Sequence, residues 1–446
     1  MAEQREQKYW HIQLHPDDPW PAEDIKTLLG RTSLIGVGVD KQGKAYVPNF
    51  QQRMSIGDIV LVRAGATPLA LVEVLGDCAE THQTDEKLDW FEYRRQVKVL
   101  GWADEAWRPF PQTRGTLGLL VNSTASRGYV EDRYTYCKGL AMLDEMKALL
   151  EANKQIVLTG APGTGKTFLA MQLAAHMIRC KPDALPNEPR FKFVQFHPSY
   201  DYTDFVEGFR PKGSKDGQIG FEIRPGIFKT FCEDAKSHED ACVFVIDEIN
   251  RADLSRVFGE LFYCLEPGYR GVKGSVTTQF AVEQFYIPEN VLIVGTMNDI
   301  DRSVESFDFA LRRRFAWCQI EANEPQFDRV MATHRGEKWF DEARRRYSRL
   351  NQEIKAAAGL GSSYQIGPAY YRKLKDYAGD FQKLWDWHLF PLLSEYVRGM
   401  SVETRESLLG PNGEKAKFKG AYDSETEQPS QAPGNSDFDS GAQPET

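Results

Sequence analysis

The stretch Ile156-Val157-Leu158-Thr159-Gly160-Ala161-Pro162-Gly163-Thr164-Gly165-Lys166-Thr167, continued by FLAMQLAAHMI, decides the fold. An apolar run enters a glycine-rich loop of GxxxxGK[ST] spacing and a helical pattern leaves it, the order strand, phosphate loop, helix. Glycines let successive backbone N–H groups turn toward phosphate oxygens, and the helix amino terminus adds the positive end of its dipole. Gly160 through Thr167 then form the cradle: Lys166 reaches the β- and γ-phosphates, and the Thr167 hydroxyl ligates Mg²⁺. A chance glycine-rich turn would lack these flanks.

Two further apolar runs extend the pattern. Ala241-Cys242-Val243-Phe244-Val245-Ile246 ends in Asp247-Glu248. An acid at the tip of a buried strand sits beside the phosphate loop in doubly wound sheets, so Asp247 is a second Mg²⁺ group and Glu248 the residue that orients the attacking water. Val291-Leu292-Ile293-Val294-Gly295-Thr296 ends in Met297-Asn298, whose amide suits a γ-phosphate or the water. Beyond lie Arg312-Arg313-Arg314-Phe315. Consecutive arginines are usually a solvated face, but these follow and precede apolar residues and suit a structured edge.

Strand-like runs alternating with helical segments to about residue 320 predict an α/β domain with a parallel sheet. Residues 325–400 are helical by pattern. The stretch 410–446, rich in Pro, Gly, Ser, Gln and acids, predicts disorder. Residues 1–130 hold short runs such as DIVLVRA (58–64), LALVEVLG (69–76) and RQVKVLGW (95–102) punctuated by Gly, Pro and Asp, with no long amphipathic helix, which predicts a small barrel or sandwich.

In this order the pieces resemble the AAA+ superfamily and, within it, the McrB family. The matching stretches are FHPSYDYTDFVEGFRP (196–211), IDEINRADLSRVFGELFYCLE (246–266) and GTMNDIDRSVESFDFALRRRF (295–315). The resemblance covers about 150–400. It implies a P-loop parallel sheet over 131–320 with a helical lid over 321–409, GTP as substrate with Mg²⁺, a homo-hexamer, and a McrC-like nuclease as partner. It implies that Asn298 is the polar sensor beside the γ-phosphate, that Asp301 and Arg302 are the signature pair placing the water, and that Arg313 and Arg314 reach into a neighbouring subunit's site. The segment Ser363-Tyr364-Gln365-Ile366-Gly367-Pro368 resembles the start of the lid. One departure stands out: the family has Thr where this chain has Asp299, and a carboxylate facing a γ-phosphate would be repelled, so its side chain is expected to point away.

Residues 8–130 resemble the EVE domain of the PUA-like superfamily, on Tyr9-Trp10-His11-Ile12, the NFQQRMSIGDIVL run (49–61) and Asp89-Trp90-Phe91-Glu92-Tyr93. That likeness implies a small β-barrel that captures a modified DNA base flipped into an aromatic cage. Trp20, Phe50, Trp90 and Trp102 are candidate walls, Trp10 another, with Arg53, Arg94 and Arg95 near phosphate. Core packing competes for each ring.

Composition bounds the partners. Over 446 residues the net charge is −9, and residues 1–130 hold 15 Lys and Arg against 17 Asp and Glu, so wholesale phosphate neutralisation is excluded as the basis of DNA binding. Seven cysteines and eight histidines show no paired metal-ligand spacing. No apolar stretch spans a bilayer and the opening residues lack a signal-peptide core, so a cytoplasmic protein without membrane attachment is expected. The residues do not separate GTP from ATP. A MoxR-like ATPase remodelling protein complexes, with 1–130 as a docking module, remains the alternative, and a pure binding module the third.

Overall fold

The computed structural model describes residues 7–14, 22–38, 46–81, 91–104, 107–111, 115–121, 124–213, 219–300, 312–410 and 416–423. Its amino-terminal part is built on β1 (Tyr9–Gln13), α1 (Ala22–Thr32), β2 (Leu34–Val37), β3 (Ile59–Ala64), β4 (Thr67–Val74), β5 (Ala79–Glu80), β6 (Tyr93–Trp102) and β7 (Leu117–Leu119). The ladders run β2-β6-β4-β3-β1-β7, with β5 beside β6. β1 and β3 are parallel; the other pairs are antiparallel. Among the described residues no ladder joins β2 to β7, so the sheet curls, with register shifts in β3–β4 and β4–β6, without closing by hydrogen bonds.

Both faces of this sheet are covered, which is why β3 reads as an unbroken apolar run rather than an alternating one. Val60 and Val62 face the core containing Trp10, Phe50 and the buried Ile25, Leu28 and Leu29 of α1. Ile59 and Leu61 face Trp107, Phe110, Val130 and Cys137. Helix α1 is a departure from the all-strand expectation for 1–130.

Val130 and Cys137 lie on α2 (Ala125–Asn153), capped by the Thr124 side chain at its start and by Lys154 in the left-handed region at its end. The expected boundary at residue 130 therefore falls inside one 29-residue helix that serves both domains. Its later residues Met146 and Leu150 pack under the second, parallel sheet.

That sheet holds β8 (Gln155–Thr159), β9 (Phe191–Gln195), β12 (Cys242–Asp247), β15 (Val291–Thr296) and β16 (Ala316–Gln319), all parallel, in the order β16-β8-β15-β12-β9. Between them lie α3 (Lys166–Ile178), a hairpin of β10 (Glu207–Gly213) and β11 (Ile219–Pro225), and the short pair β13 (Val276–Thr277) and β14 (Gln284–Phe285). Residues of β8, β12 and β15 are buried throughout and alternate between two cores: Val157, Phe244 and Ile246 on one side, Ile156, Leu158 and Val245 on the other. Because the strands are parallel, their carboxyl ends converge on one edge, and loops there form the site.

The lid follows with α4 (Glu324–Val330), α5 (Phe340–Ala356), α6 (Val402–Leu409) and α7 (Lys417–Asp423) around Phe327, Tyr347, Tyr371 and Trp385. Helix α7 corrects the expectation of disorder from 410 onward: Phe418 and Tyr422 are fully buried in the lid core, Tyr422 stacking near Trp385. The rest of the tail lies outside the described residues.

Candidate functional site

Gly160, Gly163 and Gly165 all have positive φ, which lets the chain wrap the phosphate position. Lys166 opens α3, and its ammonium folds back onto the loop, donating to the carbonyls of Gly160 (3.0 Å) and Ala161 (2.9 Å). Thr164 Oγ1 ties the loop to Ala161 O at 2.9 Å.

Three strand ends meet here. Thr167 Oγ1 donates to Asp247 Oδ1 at 2.7 Å, and Thr296 Oγ1 donates to the same oxygen at 2.6 Å. The Glu248 amide donates to Thr296 Oγ1 at 3.3 Å. Glu248 sits in the left-handed region (φ 52), a strained placement for a residue with a Cβ and one found where function holds it. Its Oε1 accepts from Asn298 Nδ2 at 3.0 Å, while Oε2 is 3.3 Å from Arg251 Nε. The Asp247 and Glu248 acids, the Asn298 amide and the Thr167 and Thr296 hydroxyls thus form one connected unit.

For Mg²⁺, the Thr167 hydroxyl and the Asp247 carboxylate are the hard oxygen donors such an ion takes. Among the described residues no group of three or more His, Cys, Asp or Glu side chains gathers, so an ion there would complete its shell with phosphate oxygens and water.

Asp299 does not point away from the loop. Burial pushes its carboxyl pKa above the usual value, and Lys166 together with hydrogen bonding from the Gly160 backbone and the Thr159 side chain works against that shift. The carboxyl therefore rests against the first residues of the cradle. Asp301 and Arg302 lie outside the described residues.

Arg313 and Arg314 precede β16, at the amino edge of the sheet, opposite the phosphate loop. Five residues of strand separate the two edges, roughly 16 Å. Both guanidiniums pair with Glu266 Oε1, at 2.9 and 3.1 Å. Arg313 is 68% exposed and Arg314 13%. Neither serves this chain's own loop.

Groups that the sequence reading left without a role complete the site. Lid and loop are joined by Gly367 N donating to Pro162 O (2.9 Å) and Ala369 N donating to Gly163 O (3.0 Å). Gln326 Nε2 donates to Thr164 O. Arg251 and Thr296 both stood within quoted stretches; Thr296, the last strand residue before Met297-Asn298, was the readable signal.

The candidate cage fares differently. Phe50 is fully buried with the Arg95 guanidinium 5.5 Å from its ring centre, and Trp10 is fully buried with Nε1 donating to Asp58 Oδ2 at 2.9 Å. Both are core residues rather than open walls. Arg95 is likewise committed, donating to the carbonyls of Phe50, Gly76, Gln51 and Met54. Trp102, at the end of β6, is 41% exposed beside Gly30. Trp20 and Trp90 lie outside the described residues.

Comparison with known proteins agrees with this geometry. Residues 155–315 match the AAA domain family (dynein-related subfamily), and residues 342–403 match the McrB alpha-helical lid domain. The chain is a McrB-family AAA+ protein. It is 43% identical over 230 residues to the type IV methyl-directed restriction enzyme EcoKMcrB subunit of Escherichia coli K12, covering 50% of this chain and 48% of that subunit. It is 24% identical over 213 residues to the type II restriction enzyme BsuMI component YdiS of Bacillus subtilis 168, covering 40% and 60% respectively. The chain thus spans about half the length of the curated relatives it matches. A solved putative ATPase from Cytophaga hutchinsonii matches at 15% identity and a TM-score of 0.29, covering 59% of this chain and 83% of that one. No helix among the described residues is long and apolar enough to cross a membrane.

Proposed function

We propose that this chain is the nucleotide-hydrolysing motor of a modification-dependent restriction system, with GTP as substrate, acting as a hexamer with a McrC-like nuclease. The observation that carries it is the connected set Thr167, Asp247, Thr296, Glu248 and Asn298 at two strand ends and the start of α3, within a segment similar to the E. coli restriction subunit.

Lys166 releases the Gly160 and Ala161 carbonyls and takes the β- and γ-phosphates. Thr167 and Asp247 hold Mg²⁺, which neutralises charge on the phosphate oxygens. Glu248, its carboxylate aimed by Asn298 and Arg251, orients a water for in-line attack and accepts its proton. Arg313 and Arg314, unable to reach their own loop, meet a neighbouring copy's γ-phosphate, an effect worth about 10³–10⁵ in rate where arginines act this way. Asp301 and Arg302 are assigned to water placement by family likeness alone.

The amino-terminal domain is assigned to reading a modified base in DNA. The methyl-directed name of the E. coli relative and the exposed Trp102 support this, since one base–aromatic stack contributes about 1–3 kcal/mol without a basic surface.

Side-by-side turnover with GTP and ATP, in the presence of Mg²⁺, tests the motor. Faster GTP hydrolysis supports the assignment; turnover with ATP alone would replace it with the MoxR-like reading. Binding of the full chain to oligonucleotides differing only in base modification tests the reader, and equal affinity would refute it.

A further inference from the structure

At the amino edge of the motor sheet the protein buries a cation that, among the described residues, pairs with no carboxylate. Arg270 is 1% exposed, and its guanidinium donates to Gln155 Oε1 and to Val291 O (3.4 Å). Among the described residues its Nε has no partner. Burial lowers its pKa to about 10, which leaves it charged at neutral pH. Holding a charge there is costly, and the arrangement makes sense only if it organises something else.

What it organises is Gln155, the fully buried first residue of β8. With its carbonyl oxygen engaged by Arg270, the amide nitrogen donates twice, to Leu265 O and to Arg314 O, both at 2.6 Å. Leu265 immediately precedes Glu266, the carboxylate that pairs with Arg313 and Arg314. One amide therefore fixes the backbone on both sides of that ion cluster. Glutamine is suited to this because it offers two donors and an acceptor in a single plane.

We propose that Gln155, braced by Arg270, is a positioning residue for Arg313 and Arg314, setting the loop that a protomer presents to its neighbour's triphosphate. This rests on the reading above that those arginines act across the subunit boundary. Glu266 is then the resting counter-ion that the two guanidiniums exchange for phosphate on assembly.

Gln155→Glu separates this role from plain packing. A carboxylate still accepts from Arg270 but cannot donate to the carbonyls of Leu265 and Arg314. In the full chain, with whatever partner and DNA wild-type turnover requires, Gln155→Glu and Arg270→Met should each lower kcat by about tenfold or more, because small displacements of positioned groups are expensive. KM for the nucleotide should stay within about twofold, since the protomer's own loop is untouched. Mixing either variant with Lys166→Ala copies, which cannot use nucleotide but present normal arginine loops, should restore turnover. Thermal melts of each variant report whether it is folded. Unchanged kcat in Gln155→Glu overturns the proposal. So does failure of the mixture to recover when an Arg313→Ala/Arg314→Ala double variant, mixed in the same way, does recover. Wild-type turnover by that double variant alone would instead overturn the shared-site reading, and this inference with it.

Discussion

The two sheet domains treat their polar side chains in opposite ways. In the motor, Asp247, Thr296, Glu248 and Asn298 stand at carboxyl ends of strands, bonded to each other and facing the loop that takes phosphate. In the amino-terminal domain, Arg63, Arg95 and His11 are turned inward: Arg63 donates to His11 Nδ1 (3.2 Å), Gln13 and the Gly65 and Gly115 carbonyls, and Arg95 to four carbonyls. Polarity at the motor's strand ends is chemistry held ready. Polarity at Arg63, Arg95 and His11 in the other domain is internal bracing.

The sharpest way to break this contrast is Glu248→Gln. Turnover should fall by about 10²–10⁴-fold while nucleotide binding persists, as read by phosphate release and by nucleotide titration. Wild-type-like turnover would deny the carboxylate its role. Arg95→Met is the matching test for the other domain. Leaving four carbonyls without their charged donor should cost about 3 kcal/mol in denaturant melts of the full chain, with little change in hydrolysis per folded molecule.

A smaller effect is expected at the lid. A Cβ on Gly367 would lie 1.9 Å from the Gly163 carbonyl carbon. Gly367→Ala should push the lid off the loop and weaken nucleotide affinity about tenfold, roughly 1.4 kcal/mol, in a titration. Finally, His11 is held neutral, its pKa lowered to about 4, first by burial and then by Arg63. A lowered histidine favours the folded domain above its ordinary value and loses that contribution as pH falls toward the folded one. Protection factors of the amides in residues 9–13, exchange rates corrected for the intrinsic pH dependence, should therefore fall between about pH 6.5 and pH 4; flat protection across that range would contradict it.

How much of this was legible depended on how local each signal is. The phosphate loop is a contiguous run, and Asp247-Glu248 directly follow a fully apolar strand, so both could be read without knowing the fold. Arg251 could not be assigned, because its partner Glu248 is turned toward it by a left-handed residue that the sequence does not mark. Rings in the amino-terminal domain were unsortable for a related reason: Phe50 and Trp10 carry the same residue chemistry as an open wall, and only burial separates core from cage. Two helices were missed where composition outweighed spacing. Ile25, Leu28 and Leu29 in α1, and Phe418 with Tyr422 in α7, follow helical intervals inside stretches otherwise read as strand-rich or tail-like.

Helix α2 gives the molecule a mechanical property. It is about 43 Å long at 1.5 Å per residue; its middle is wedged against β6 through Cys137 and Gly101, and a single residue, Lys154, separates its end from the strand that feeds the phosphate loop. The same unbroken helix packs on both sheets, with no loop between the two contacts. A tilt of the amino-terminal sheet would therefore reach Gln155 through a continuous helix and not through a flexible tether.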